Sequence, residues 1–280
     1  MIVVFLGGIK VQAKEPDLIT YDYITHNTII EKSNEVSPMT RSGVRIEPEY
    51  KIGLPEIMPK VIIGDTDSRK KVNPNNEPYC RVVCLRPGFD TDGDNKIDKW
   101  SYGTGFMTGD DVMVTAGHVV WHTKNKMQPQ QLRIYLKQTG SKLNSTYYYP
   151  KRWTLSTAFT SNNNSNYDWC VLELQQDLGK QTGYFGYGTG LTGSKSVTVS
   201  GYPSSKKYNQ YKATGKMKVT SSFRFSHDVD TEGGQSGSPA YSSNGIVWGI
   251  HTSGSKTSKI NSGCLLTQNV YDLISKYKYN

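Results

Sequence analysis

The stretch Asp230-Thr231-Glu232-Gly233-Gly234-Gln235-Ser236-Gly237-Ser238-Pro239 sets one serine between Gly233-Gly234 and Gly237. Nothing β-branched follows Thr231, so it reads as a tight turn whose backbone N–H groups converge on one point. An attacking hydroxyl needs open approach, and the carbonyl it attacks needs donors where negative charge develops. Ser236 is the candidate nucleophile, and the N–H groups of Gly234 and Ser236 are the candidate oxyanion hole. Taken alone, the same string also describes a Gly/Ser-rich hairpin loop. A base and an orienting acid elsewhere in the chain decide between the two.

Both are present upstream. Asp111-Val112-Met113-Val114-Thr115-Ala116-Gly117-His118 reads as a short apolar strand that delivers a histidine at its end, beyond a small-residue turn. The chain has five histidines, and only His118 has this placement. Asn166-Tyr167-Asp168-Trp169-Cys170-Val171-Leu172 puts Asp168 at the mouth of another buried strand, where it can orient an imidazole and stabilise its charged form.

The order His118, Asp168, Ser236, with TAGH, YD and GGQSGSP around them, resembles the trypsin-like serine peptidases. Within that group residues 61–280 are most similar to the bacterial glutamyl endopeptidases. Short runs at Arg81–Leu85, Gly103–Thr108, Val112–Thr115, Gln131–Leu136, Cys170–Leu174, Ser196–Ser200, Lys216–Thr220, Gly245–His251 and Cys264–Gln268 alternate with turn residues, the texture of an all-β sandwich or barrel. With the resemblance, the expected fold is two six-stranded antiparallel β-barrels, His118 and Asp168 on the first and Ser236 on the second. Residues 269–280 have the apolar spacing of a terminal helix, expected on the second barrel.

The resemblance also implies a specificity pocket. In the glutamyl endopeptidases a histidine matching His251, in Ile246-Val247-Trp248-Gly249-Ile250-His251, contacts the substrate carboxylate, and a pocket threonine matches Thr231. The hydroxyl of Ser253 is a further candidate donor. Imidazole suits the task, because a carboxylate beside it favours its charged form. An acid at the pocket base would instead favour Lys or Arg, and Asp230 keeps that alternative open. Two others remain: narrow specificity, as in the related exfoliative toxins, and a secreted binding protein on the same scaffold.

Residues 1–13, apolar and ending in Val11-Gln12-Ala13, read as a secretory signal, although no Lys or Arg precedes the apolar run. Residues 14–60 are polar and proline-punctuated, show no sustained periodicity, and are expected to bury little, as in a removable pro-segment. Lys60-Val61-Ile62-Ile63 looks like the start of a mature glutamyl endopeptidase. By resemblance, cleavage there would bring the freed amine of Val61 to the specificity pocket. The expected product is a secreted, monomeric enzyme with no membrane insertion.

Asp90, Asp92, Asp94 and Asp98 have the alternation of the front half of a calcium loop, with Asn95 where glycine is expected and Ser101 where a closing acid should stand. Calcium there would be structural, and the chemistry itself requires no cofactor. Cys80 and Cys84, placed on one strand, would be about 13 Å apart at ~3.3 Å per residue, too far to bridge. They pair with Cys170 and Cys264 or stay free. The formal charge of +9 favours acidic protein substrates as partners. Lysines 206, 207, 212, 216 and 218, interleaved with Tyr202, Tyr208 and Tyr211, read as a solvated face, with no nucleic acid expected.

Overall fold

β-Branched and aromatic residues recur in short runs broken by Gly, Asn and Ser, a composition that favours pleated, half-buried strands. The computed structural model describes residues 15–33, 62–63, 66–255 and 259–279. Its first sheet contains β1 (Val82–Phe89), β2 (Gly103–Met107), β3 (Val112–Thr115), β4 (Gln131–Tyr135), β5 (Pro150–Ser156) and β6 (Cys170–Leu174), hydrogen-bonded in the order β5-β6-β3-β2-β1-β4. The second contains β7 (Ser194–Gly201), β8 (Tyr211–Val219), β9 (Arg224–His227), β10 (Pro239–Tyr241), β11 (Ile246–Ser255) and β12 (Ile260–Leu265). Its order is β11-β10-β7-β8-β9-β12, and β12 pairs back onto β11.

The expected antiparallel, mostly β architecture is therefore present, but the two halves close differently. The second barrel is a complete ring of six strands. The first is a half-barrel: between β4 and the chain entering β5 there is only an isolated bridge, Ile134 to Tyr148. The edge of β5 that could have closed it carries Leu18–Asp22, antiparallel, with Leu18 opposite Ser156 and Asp22 opposite Arg152. That strand turns back into Thr28–Glu31. A strand has two edges, and once both are used the ring cannot shut.

This hairpin corrects, for residues 15–33, the expectation that the segment buries little. Tyr21 is buried against Trp121 and Trp153, with ring centroids 6.0 and 6.2 Å away, and the Thr20 hydroxyl bonds that of Thr154 at 2.7 Å. The second strand of the hairpin is exposed throughout, so only half of it leaves an apolar signature.

The terminal helix α1 (Gln268–Lys278) forms as its spacing predicts: Val270, Leu273, Ile274 and Tyr277 are its buried stripe. Its location differs from the expectation. The stripe joins the core of the first half-barrel, against β3 and β6. Lys276 pairs with Glu31 of the hairpin at 2.9 Å. No described helix is long and apolar enough to cross a membrane.

Candidate active site

β3 stops at Thr115, and one 3₁₀ turn, Gly117–Val119, presents His118. A second, Ser165–Tyr167, is capped by the Asn164 side chain and presents Asp168 just before β6. The two residues meet through two bonds. The His118 N–H donates to Asp168 Oδ1 at 2.9 Å, and Nδ1 lies 2.8 Å from Oδ2. With Nδ1–H given to the carboxylate, Nε2 is the basic nitrogen. Asp168 is buried and thus fixes both the orientation and the tautomer of the ring.

The Ser236 turn is fastened to both halves. The Thr104 N–H of β2 donates to the Ser236 carbonyl at 2.9 Å, and the Thr104 hydroxyl donates to the Gly234 carbonyl at 2.8 Å. On the other side Gly237 N–H donates to the His251 carbonyl and His251 N–H to the Ser238 carbonyl. Gly237 has φ +89°, and a Cβ there would lie 2.0 Å from the Thr104 carbonyl oxygen and 2.2 Å from the Thr115 hydroxyl. Only glycine fits, and the fit brings the residue after Ser236 against the strand end that carries His118. Gly234 has φ +94°, and a Cβ there would lie 2.4 Å from the Tyr202 carbonyl oxygen. Gln235 N–H donates to the Glu232 carbonyl at 3.0 Å, whereas among the described residues the N–H groups of Gly234 and Ser236 have no protein acceptor. Those are the two donors expected to face an oxyanion.

An ion network that sequence reasoning missed supports this turn. Arg69, buried, donates from Nε and Nη2 to the two Asp67 oxygens at 2.8 Å each, and from Nη1 to Gln235 Oε1 at 3.2 Å. The same Nη1 lies 3.0 Å from Glu232 Oε2. Burial alone would raise the Glu232 carboxyl, but Ser205 and Arg69 outweigh it and hold it below its ordinary value. The Arg69 bonds lower Asp67 to about 2. The signal in sequence was the composition DSRK at 67–70, which looks like any charged turn.

The pocket residues divide into two groups. His251 and Thr231 are fully buried, and among the described residues each has a polar atom without a partner, Nε2 and Oγ1. Behind His251 is a residue the sequence did not single out: His227 Nε2 lies 3.0 Å from His251 Nδ1. Burial holds His227 down to about 3; burial, then His227, His118 and Arg224, hold His251 well below its ordinary value. The pair is neutral, and where His227 donates, the proton of His251 is on Nε2. Ser253 belongs elsewhere, its hydroxyl bonded to Arg224 and Ser262. Val61 lies outside the described residues.

Asp230 is not the floor of a cation pocket. Its carboxylate is buried and accepts from Ile63 N–H at 2.5 Å, Ser68 N–H at 2.8 Å and the Ser68 hydroxyl at 2.5 Å. A substrate Lys or Arg would meet a carboxylate already committed to three donors, which weakens the trypsin-type alternative.

In the acidic loop, carboxylate oxygens of Asp90, Asp92 and Asp98 come within 4.8 Å of one another, a spacing that fits a hard cation. Asp94 does not join them; its carboxylate takes the Lys96 N–H and ammonium. All four cysteines are buried free thiols, and burial pushes Cys84 up to about 12 and Cys264 up to about 11. In the lysine–tyrosine run Tyr202 is buried, whereas Tyr208 and Tyr211 are half-buried.

With His118 held on Asp168 and the glycine-rich Ser236 turn beside them, the chain can be set against known proteins. Residues 103–250 match the trypsin-like peptidase domain. The chain belongs to the trypsin-like peptidases. The peptidase is 27% identical over 238 residues to the glutamyl endopeptidase of Bacillus licheniformis, covering 78% of this chain and 69% of that one. It is also 27% identical over 238 residues to a Bacillus subtilis protein named extracellular metalloprotease, covering 81% and 73%. Among solved structures, a Glu endopeptidase superposes with TM-score 0.66 at 23% identity, over 78% of this chain and all of that one. The protease Anisep of Arthrobacter nicotinovorans gives 0.63 at 15%, over 76% and 100%. Both structural likenesses show the fold. Family, fold and cleft together make this chain a serine endopeptidase.

Proposed function

We propose that this peptidase hydrolyses bonds that follow Glu, and less readily bonds that follow Asp. Ser236 Oγ attacks the carbonyl carbon, His118 Nε2 takes the hydroxyl proton and passes it to the leaving amine, and Asp168 stabilises the imidazolium. The N–H groups of Gly234 and Ser236 receive the oxyanion. Water then repeats the sequence on the acyl-enzyme.

The observation that carries the specificity is the pair of buried atoms without partners, His251 Nε2 and Thr231 Oγ1. A buried polar group left unpaired costs about 1–3 kcal/mol. A substrate carboxylate satisfies both, and its charge draws a proton onto the His251–His227 pair. Asp is one methylene shorter, a difference worth roughly 1–3 kcal/mol in a fitted pocket. The test is kcat/KM on matched peptides with Glu or Gln before the cut, for wild type and His251→Leu. The reading requires a strong Glu preference that the substitution abolishes, and an unchanged Glu:Gln ratio refutes it.

We also propose export, with residues 1–13 as signal and 14–60 as pro-segment cut after Lys60. Supporting this, Ile63 is anchored on Asp230, so an amine freed at Val61 is two residues from the pocket wall. N-terminal sequencing of active material should begin at Val61; a start elsewhere removes the basis for this maturation. For the loop of Asp90, Asp92 and Asp98 we propose structural calcium. Chelation should lower Tm and leave kcat intact, and an unchanged Tm rejects it.

A further inference from the structure

The cleft contains a cation that the reaction as described does not use. Arg224 opens β9, where Phe225 and His227 turn into the barrel while Arg224 and Ser226 face outward, half-buried. Its Nη1 donates to the Ser165 carbonyl at 2.7 Å and the Thr252 hydroxyl at 3.2 Å, and lies 3.4 Å from Cys264 Sγ. Its Nη2 donates to the Ser262 and Ser253 hydroxyls at 2.9 and 3.4 Å. Every partner is neutral. Among the described residues no carboxylate pairs with this guanidinium, whereas Arg69, buried behind the Ser236 turn, is matched by Asp67 and Glu232.

The position of Arg224 is equally informative. Ser165 is three residues before Asp168, and Ser253 is two after His251, so the guanidinium spans the seam beside both the triad and the pocket. Beyond Ile250, β11 has lost β10: residues 252–255 keep β12 on one side and have no described strand on the other. An extended peptide can add antiparallel to such an edge through main-chain bonds. With its Glu side chain at His251, a substrate laid on this edge runs upstream past Ser253. It thereby passes over Arg224.

We propose that Arg224, with the hydroxyls of Ser253 and Ser262, forms a second anion subsite that takes the carboxylate of an acidic residue on the N-terminal side of the cut. The proposal rests on the Glu-directed reading of the His251 pocket and adds a separate determinant to it. A partly desolvated guanidinium held by neutral oxygens gains most from an incoming carboxylate, because charge-assisted bonds are the strong ones. The substrate class is a peptide with Glu before the cut and another acid upstream.

The test uses a peptide set with Glu fixed before the scissile bond and each upstream position set in turn to Glu or Gln. Wild type should favour upstream Glu at one position by about five- to tenfold in kcat/KM, a factor that shrinks with salt. Arg224→Gln should collapse that ratio to near one, and Arg224→Lys should keep part of it. The Glu:Gln ratio at the residue before the cut should hold. No upstream preference in wild type overturns the proposal. An equal loss on all peptides with lowered Tm makes Arg224 a brace between barrels, and a changed ratio at the residue before the cut assigns it to the His251 pocket; either result also overturns it. If wild type does not require Glu before the bond, the Glu-directed reading fails by itself, and the upstream comparison is run on the residue it does accept.

Discussion

The two sides of the cleft are held by different means. On the first half-barrel, His118 and Asp168 stand at the ends of β3 and just before β6, each delivered by a single 3₁₀ turn and joined by two direct bonds. On the second barrel, the Ser236 turn and the pocket wall lean on residues far away in sequence: Ile63, Ser68 and Arg69 reach Asp230, Glu232 and Gln235. The acid–base side is therefore built from local structure, and the oxyanion and pocket side from a strap. The strap replaces backbone regularity with buried charge, whose loss is costly.

The largest effect should come from removing the nucleophile. Ser236→Ala should lower kcat by roughly 10⁴–10⁶-fold with Tm unchanged, measured on a peptide substrate and by thermal melting. On the acid–base side, Asp168→Asn should cost about 10³–10⁴-fold in kcat with KM nearly unchanged, since it removes the tautomer lock and leaves the pocket intact. The contrast itself is tested by Arg69→Met, which strands the buried Glu232 carboxylate for about 3–5 kcal/mol. Hydrogen exchange should then rise at 230–236 and remain slow around His118; equal loosening on both sides would show that the strap is not specific to one. In the uncleaved chain, Tyr21→Ala should destabilise the first half-barrel by about 3 kcal/mol, within the range for large-to-small core changes. After cleavage, kcat per folded molecule should match wild type, because Tyr21 leaves with the pro-segment.

The smallest and most graded effect is that of pH. His227 and His251 have folded values depressed below 6.5. Their folded forms bind fewer protons than the unfolded chain, so the stability they contribute is complete above about pH 6.5 and drains away as pH falls below it. Asp67 and Glu232, also depressed, add a second loss below about pH 4. His227→Phe should flatten the upper part of the curve in denaturant titrations and leave the lower part alone.

The motifs that were legible in sequence are those whose chemistry demands adjacent residues. TAGH, YD and GGQSGSP each encode a turn and a functional group together, and the stripe at Val270, Leu273, Ile274 and Tyr277 encodes a helix. What stayed hidden depends on distant partners. DSRK at 67–70 gains meaning only beside Glu232, Asp230 is an acid in a pocket loop until Ile63 and Ser68 occupy it, and His227 is an ordinary strand residue until His251 meets it. LITYD at 18–22 is too short and too polar to predict an edge strand, and helix amphipathicity tells which face is buried without telling which barrel buries it. Closure was illegible for the same reason: whether β5 pairs with β4 or with an N-terminal strand is a competition between remote segments.

The central claim, that the carboxylate-seeking atoms of His251 and Thr231 choose the bond that Ser236 breaks, is tested most directly by digesting a denatured mixed proteome and identifying every new C-terminus by mass spectrometry. The account predicts termini dominated by Glu with a minor share of Asp, none with Ser236→Ala, and loss of the Glu bias with His251→Leu. Termini dominated by Lys, Arg or aromatic residues, or a Glu bias that persists without the imidazole, would contradict it.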